Sequence, residues 1–276
     1  MRVETNWKLV RRNRRLANFL FFFSMAVLVG GFIIANSQLM NPSAETDDLS
    51  LLVALILPWV VLPVGFISTL VSVRMTNLWI RKPRPEDVIR EGLKGINKRS
   101  VLYNYYHFPA RHVLITPLGV FAMITRYQDG YFVVEGDRWK TPGGALRWLM
   151  RLFRRDDVGN PTEEALDAAA HVKKLLSSTA PDIQVQPLII FISPRVRVDI
   201  QDPTVPVLFA DSKRDPNLRD YMRDYARRQA PQENSDTKAK KKVKSGKPSA
   251  PPSDNGVISP EELAETLDRI TLRSGH

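Results

Sequence analysis

The sequence predicts a mixed α/β protein in which a two-helix transmembrane hairpin carries one α/β domain and a disordered tail. Two long apolar segments, residues 16–35 and 49–73, lie near the N-terminus. Helix-like and strand-like patterns then alternate over residues 83–228, as expected for a single α/β domain. Residues 229–276 are polar and rich in lysine and proline, with only a short helical pattern at the end.

The two apolar segments have the length and composition of membrane spans. Residues 16–35 contain no charged side chain, and about 20 such residues cross a hydrocarbon core of about 30 Å. Residues 49–73 contain Pro58 and Pro63, which neighbouring helices tolerate inside a membrane. A cleaved signal peptide is the alternative for the first segment, but its apolar region is too long and a second span follows at once. The lipid bilayer is therefore the first predicted partner.

Basic residues on one side of the hairpin predict its orientation. Residues 1–15 and 74–85 are rich in arginine and lysine, whereas the loop 36–48 contains neither. By the positive-inside rule, the basic N-terminus, the C-terminus and the main domain are cytoplasmic, and the predicted location is the cell membrane of a prokaryote. These flanks also explain much of the formal net charge of +11, so the charge does not by itself indicate nucleic acid.

The folded region begins with helical periodicity and continues with short strands and turns. The turn signals "PLG" and "QDG" predict a three-strand meander. Asn160 followed by Pro161 is typical of a helix start, and "PLIIFIS" is typical of a strand that is buried on both faces. The predicted order is helix 88–96, strand 100–108, meander strands 112–116, 120–127 and 131–134, a helix from 160, strands 187–193 and 205–210, and a helix from 215.

Several ordered pieces of this region resemble the nuclease-related domain, or NERD, family. They are "VLYNY", "HVLITPLGVFAMITR", the "GD.W" after the third strand, "NP" at a helix start, "QPLIIFIS" and "VPVLF". The resemblance covers about residues 85–228 and implies a restriction-endonuclease-like fold. It also implies an aspartate on one strand and Glu-x-Lys on the next, which together hold a divalent metal for phosphodiester cleavage.

The sequence departs from that motif at each acidic position. Arg111 stands where the resemblance implies the aspartate, and Ile124 stands where it implies the glutamate, with Arg126 in place of the lysine. Residues 124 and 126 still share one face of a strand, but a cation at a ligand position repels a metal ion. We therefore predict a degenerate site with no catalytic residue, no metal and no cofactor. The absence of cysteine and the spacing of the histidines agree with that prediction.

The three replaced positions allow more than one interpretation. Ile124 is predicted to be a core residue. Arg111 and Arg126 are either surface charges, paired with the acids Glu135, Asp137 or Asp129, or a pocket for an anion such as a nucleic acid phosphate.

Three functions follow from these interpretations. The favoured one is binding or scaffolding without cleavage. The first alternative is a membrane-tethered nuclease whose metal ligands have moved to Glu91, Asp129 or Glu135. The second alternative is a structural membrane protein that contacts other proteins, for which the helix starting at Ser259 offers a surface.

Two further segments are predicted to lie close to anionic surfaces. Residues 145–155 form a basic amphipathic helix suited to a membrane interface, or else an ordinary helix packed on the domain. The candidate interface residues in it are Arg147, Trp148, Arg151 and Arg154. Residues 230–256 are predicted to be disordered, and the run "KAKKKVK" to contact acidic surfaces weakly.

Overall fold

The computed structural model describes residues 1–40, 48–142, 158–229 and 259–274. The predicted helix 145–155, with Arg147, Trp148, Arg151 and Arg154, and the predicted disordered segment 230–256 lie outside the described residues. The helices are α1 (Trp7–Met40), α2 (Asp48–Trp79), α3 (Pro85–Gly92), α4 (Pro161–Leu176), α5 (Leu218–Gln229) and α6 (Pro260–Ser274). The strands are β1 (Arg2–Thr5), β2 (Val101–His107), β3 (Ala110–Thr116), β4 (Gly119–Arg126), β5 (Gly130–Glu135), β6 (Arg138–Lys140), β7 (Val185–Phe191), β8 (Val196–Gln201) and β9 (Val207–Phe209). The mixed α/β class and the two apolar N-terminal helices are confirmed.

Helices α1 and α2 pack against each other as an antiparallel hairpin. Each contains a segment that is long and apolar enough to cross a membrane, Trp7–Ile34 and Trp59–Trp79. Both helices extend beyond the predicted spans. In particular, α1 continues to Met40, so the first residues of the predicted loop 36–48 are helical. Residues 36–40 contain no proline or glycine, and Gln38, Leu39 and Met40 are good helix formers, so the helix outlasts its apolar segment.

Two glycines allow the hairpin to pack closely. A Cβ atom built on Gly31 would overlap Val61, and a Cβ on Gly65 would lie 2.6 Å from Cδ2 of Leu28. Nothing lies within 4 Å of a Cβ built on the neighbouring Gly30. Small residues of this kind let membrane helices approach each other closely. Close van der Waals packing matters there because lipid is as apolar as the side chains, so the hydrophobic effect does not drive the helices together.

Replacing Gly31 by leucine is therefore expected to separate the two helices. Overpacking costs about 1–3 kcal/mol, so thermal unfolding of the detergent-solubilised protein, followed by circular dichroism, should shift to lower temperature. Gly30→Leu is the matched control, because its new side chain meets open space. Equal loss of stability in both variants would contradict this packing.

The main sheet has six strands in the order β1-β2-β3-β4-β7-β9. Strands β2, β3 and β4 are antiparallel, whereas β4, β7 and β9 run parallel to one another. The predicted meander of 112–116, 120–127 and 131–134 is wrong, because β5 leaves this sheet and pairs with β6 and β8 in a second one. The place beside β4 is taken by β7, whose last four residues are all buried, as its continuous apolar run predicts. Strand β5 does not suit that place, because its residues alternate between buried and more exposed positions.

Helices cover the main sheet on both faces. Helices α4 and α6 pack on one face through residues such as Ala165, Val172 and Leu267. Helices α3 and α5 pack on the other face through residues such as Ile89 and Leu218.

Both ends of the chain belong to the domain. Strand β1 pairs in parallel with β2, with Arg2 beside Val101. The Oη atom of Tyr103 on β2 donates to Asp268 of α6 at 2.7 Å, and Arg2 reaches the same carboxylate at 2.6 Å. Segments outside the predicted limits of 83 and 228 therefore also contact the domain. A four-residue polar strand and a helix beyond residue 258 carry no sequence signal of these contacts. The N-terminus thus lies on the same side of the hairpin as the domain.

Helix α6 begins as the sequence indicates. The backbone N–H of Glu262 donates to Oγ of Ser259, and the Glu262 carboxylate accepts from the Ser259 N–H, both at 3.2 Å. Its apolar face, including Leu263 and Leu267, is buried against the domain core. A protein partner at this helix would therefore meet its polar face.

Candidate anion-binding site

Strands β3 and β4 bring the three altered motif positions together. His112 pairs with Met123, so Arg111 stands directly opposite Ile124. Arg126 lies two residues further along β4 and shares the face of Ile124. The two arginines are therefore diagonal neighbours at the ends of adjoining strands, on the face that α4 covers.

Ile124 is part of the core beneath α4. Its side chain is 3% exposed and belongs to the same apolar cluster as Ala165 and Ala168. The position that the resemblance assigns to a metal-binding glutamate is filled here by hydrocarbon.

Arg126 is buried and held by an acid that the sequence did not indicate. It is 6% exposed, and its Nη2 lies 2.6 Å from Oε1 of Glu164 in the first turn of α4. The predicted pairing with Glu135, Asp137 or Asp129 is wrong, because α4 brings Glu164 over the strand ends. The Nε atom of Arg126 has no hydrogen-bond partner among the residues that the structure describes.

Arg111 is the free cation of the site. In the described part of the chain it forms no hydrogen bond and no ion pair. Burial lowers the pKa of Arg111, and the nearby charge of Arg126 lowers it further, although Tyr105 and Glu164 act in the opposite direction. A planar guanidinium with all five N–H donors available suits an anion with several oxygen atoms.

A small cleft gives access to Arg111. It is lined by Trp79 at the end of α2, by Tyr105 and Phe108, and by Tyr127 beyond β4. Its volume of about 50 Å³ is enough for a few water molecules or a small anionic group. Arg126 does not line this cleft, so of the two predicted anion-binding residues only Arg111 is directly accessible from it.

A buried polar chain runs from the other face of β3 to the N-terminus. Nδ1 of His112 lies 2.8 Å from Oδ1 of Asn104, whose amide donates to Oγ1 of Thr5 at 3.0 Å. Burial lowers the pKa of His112 to about 3, and the charge of Arg111 contributes. His112 is therefore neutral, with its Nδ1–H donating to Asn104.

This neutral histidine predicts a specific loss of stability in acid. The unfolded chain binds a proton near the ordinary pKa of 6.5, whereas the folded chain does so only near pH 3. The contribution of neutral His112 to the free energy of unfolding is therefore fully present above about pH 6.5. It declines towards pH 3, by at most about 1.4 kcal/mol per pH unit for one such group. We expect His112→Gln to unfold more easily at pH 7.5 but to show a shallower dependence on pH in chemical denaturation.

A second buried histidine, His107, accounts for the dependence of stability on pH that should remain in the His112→Gln variant. Burial, together with the charge of His171, lowers the pKa of His107 to about 4. An unchanged slope in His112→Gln would contradict the assignment of this titration to His112.

The acids proposed as displaced metal ligands do not converge. Glu91 pairs with Lys94 at 2.6 Å, and Glu135 pairs with Lys140 at 2.8 Å. Asp129 is held elsewhere, by arginines at the base of the domain. Within the described ranges, no group of three histidine, aspartate or glutamate side chains is arranged to hold a metal ion.

Asp129 links the end of the hairpin to the domain. Arg81 lies 2.6 Å and Arg195 lies 2.9 Å from its Oδ2, and Ser193 donates to Oδ1. Burial acts to raise the pKa of Asp129, but these hydrogen bonds and positive charges outweigh burial and lower it. The carboxylate is therefore ionised and fully engaged.

Glu86 forms a second link at the base of the domain. It is 6% exposed, accepts from Oη of Tyr105 at 2.8 Å and accepts from Nη2 of Arg14 at 3.1 Å. Arg14 also donates from Nε to the carbonyl oxygen of Trp79 at 3.0 Å. The Glu86 carboxylate of α3 thus joins α1 and β2, and Arg14 extends the link to α2.

No family model, no curated protein and no solved structure matches this chain.

Proposed function

We propose that this is an integral membrane protein of the nuclease-related-domain type, whose domain binds an anionic ligand at Arg111 and does not cleave it. The observation that carries the proposal is the guanidinium of Arg111, which has no ion-pair or hydrogen-bond partner among the described residues and stands where the resemblance implies a metal-binding aspartate. The ligand would bind where the resemblance implies the metal site, but to the fixed positive charge of Arg111 instead of to a metal ion.

The arrangement of the motif pieces supports the family and its restriction-endonuclease-like fold. Positions 111, 124 and 126 lie on adjoining strands and share one face, as an aspartate followed by Glu-x-Lys would require. Trp139 of "GD.W" donates its Nε1–H to Oγ1 of Thr162 at 2.9 Å, close to the "NP" that opens α4. Pieces that are distant in the sequence therefore meet around one site.

The membrane placement is supported by the hairpin and by the position of the N-terminus. Strand β1 and the domain lie on the same side of α1 and α2. The basic flanks of both apolar segments are therefore also on that side. The positive-inside rule then assigns the domain and both termini to the cytoplasm of a cell membrane.

Isothermal calorimetry with inorganic phosphate tests the proposed site. The full chain is placed in nanodiscs of neutral lipid, so that phosphate is the only anion competing for Arg111. We expect saturable heat that is lost in Arg111→Gln and kept in Arg197→Gln, an exposed arginine on β8. Absence of saturable heat in the parent protein, or its persistence in Arg111→Gln, would refute the site.

A further inference from the structure

A groove lies where the domain meets the end of α2. The cleft that exposes Arg111 is lined by Asn77 and Trp79 of α2 and by Tyr127. A second cleft is lined by the same Asn77 and Tyr127, and by Arg81, Lys82 and Arg195. The two clefts adjoin, since they share these wall residues, and we name them together the junction groove.

The junction groove carries more positive than negative charge. Asp129 is the acid that Arg81 and Arg195 contact, so one carboxylate faces two guanidiniums. Arg111 and Lys82 have no ion-pair or hydrogen-bond partner in the part of the chain that the structure describes. The groove therefore favours a ligand with several anionic oxygens, as in a phosphate group.

The junction groove also lies at the boundary between apolar and polar surroundings. The candidate span Trp59–Trp79 ends at Trp79, which is itself a wall of the groove. Tryptophan is enriched at the membrane–water interface. Phe108, in the turn between β2 and β3, also lines the groove and is 46% exposed. Val71 and Val73, further down α2, are exposed large apolar residues.

We propose that the junction groove binds the phosphate headgroup of an anionic phospholipid. Arg111 and Lys82 contact the phosphate oxygens, Trp79 and Phe108 lie at the headgroup boundary, and the acyl chains follow the exposed apolar face of α2. This inference rests on the proposed anion site and membrane placement, and it names the ligand class of that site. A lipid in this position fixes the domain against the bilayer surface.

Lipid retention by the full chain tests the proposal. The protein is reconstituted in nanodiscs of phosphatidylcholine containing a minor fraction of phosphatidylglycerol, released in the gas phase, and its retained lipids are counted by native mass spectrometry. We expect selective retention of phosphatidylglycerol, about fivefold weaker in either Arg111→Gln or Lys82→Gln, since each basic residue near an anionic leaflet contributes on that scale. Arg197→Gln, remote on β8, serves as the matched control.

Two further measurements separate the lipid from free phosphate and from misfolding. Arg111→Lys keeps the charge and should retain more phosphatidylglycerol than Arg111→Gln, whereas circular dichroism should show the same folded content in all variants. Phosphate heat at Arg111 without preference for phosphatidylglycerol would overturn the lipid inference and leave the proposed function intact. Absence of both phosphate heat and lipid preference would overturn the two together.

Discussion

Replacing Arg14 by leucine is expected to weaken the attachment of the domain to the membrane helices. Glu86 would then remain a buried carboxylate that has lost Arg14 and keeps its hydrogen bond from Tyr105. Breaking a buried ion pair by removing one partner costs about 3–5 kcal/mol, and the partial exposure of Arg14 places the expected loss near the lower end of that range. The free energy of unfolding of the detergent-solubilised protein, measured by chemical denaturation, should fall by about 3 kcal/mol.

A neighbouring arginine supplies the control for that experiment. Arg15 is exposed on the same helix, and Arg15→Leu should leave stability nearly unchanged. The double variant Arg14→Leu with Glu86→Gln should recover part of the loss, because no buried charge remains. If Arg14→Leu and Arg15→Leu behave alike, Glu86 does not join the hairpin to the domain.

Replacing Glu164 by alanine is the second change with a large expected effect. It would leave the buried guanidinium of Arg126 without its anion, close to the positive charge of Arg111. Glu164 is about half exposed, so water compensates in part, and we expect a loss of about 2 kcal/mol in the free energy of unfolding. Asp167→Ala, a change at an exposed residue on the same helix, is the control.

Repeating the measurement with added phosphate tests whether the loss of stability comes from the anion site. A phosphate that binds the arginines should restore more stability to Glu164→Ala than to the parent protein, because it replaces the missing negative charge. Arg126→Met combined with Glu164→Ala should also recover stability. Equal stabilisation of both proteins by phosphate would argue against an anion site at these strands.

Much of the fold could be predicted because its signals are local. The apolar hairpin, the buried strand β7 and the start of α4 follow from runs and caps of a few residues. Asn160, for example, accepts from the backbone N–H of Glu163, as its position before Pro161 indicates. Similarly, the period of two that places residues 124 and 126 on one face is a property of any strand.

The remaining features depend on contacts between distant segments. Nothing in "RVET" indicates that β1 joins the sheet beside β2, and β5 looks like the next strand of a meander until β7 takes the place beside β4. Glu164 and Glu86 are ordinary acids at helix starts in the sequence. Only the tertiary structure shows that one of them neutralises Arg126 and the other joins the hairpin to the domain.

We propose that Arg111 binds an anion at the place where the resemblance implies a metal ion for cleavage. The most direct test is cleavage of labelled single- and double-stranded DNA by the purified full chain with magnesium or manganese. We predict no cleavage above that of a preparation of the Arg111→Gln variant, purified identically. Metal-dependent cleavage by the parent protein that is lost in Glu91→Ala or Glu135→Ala would contradict the claim and indicate a nuclease with displaced ligands.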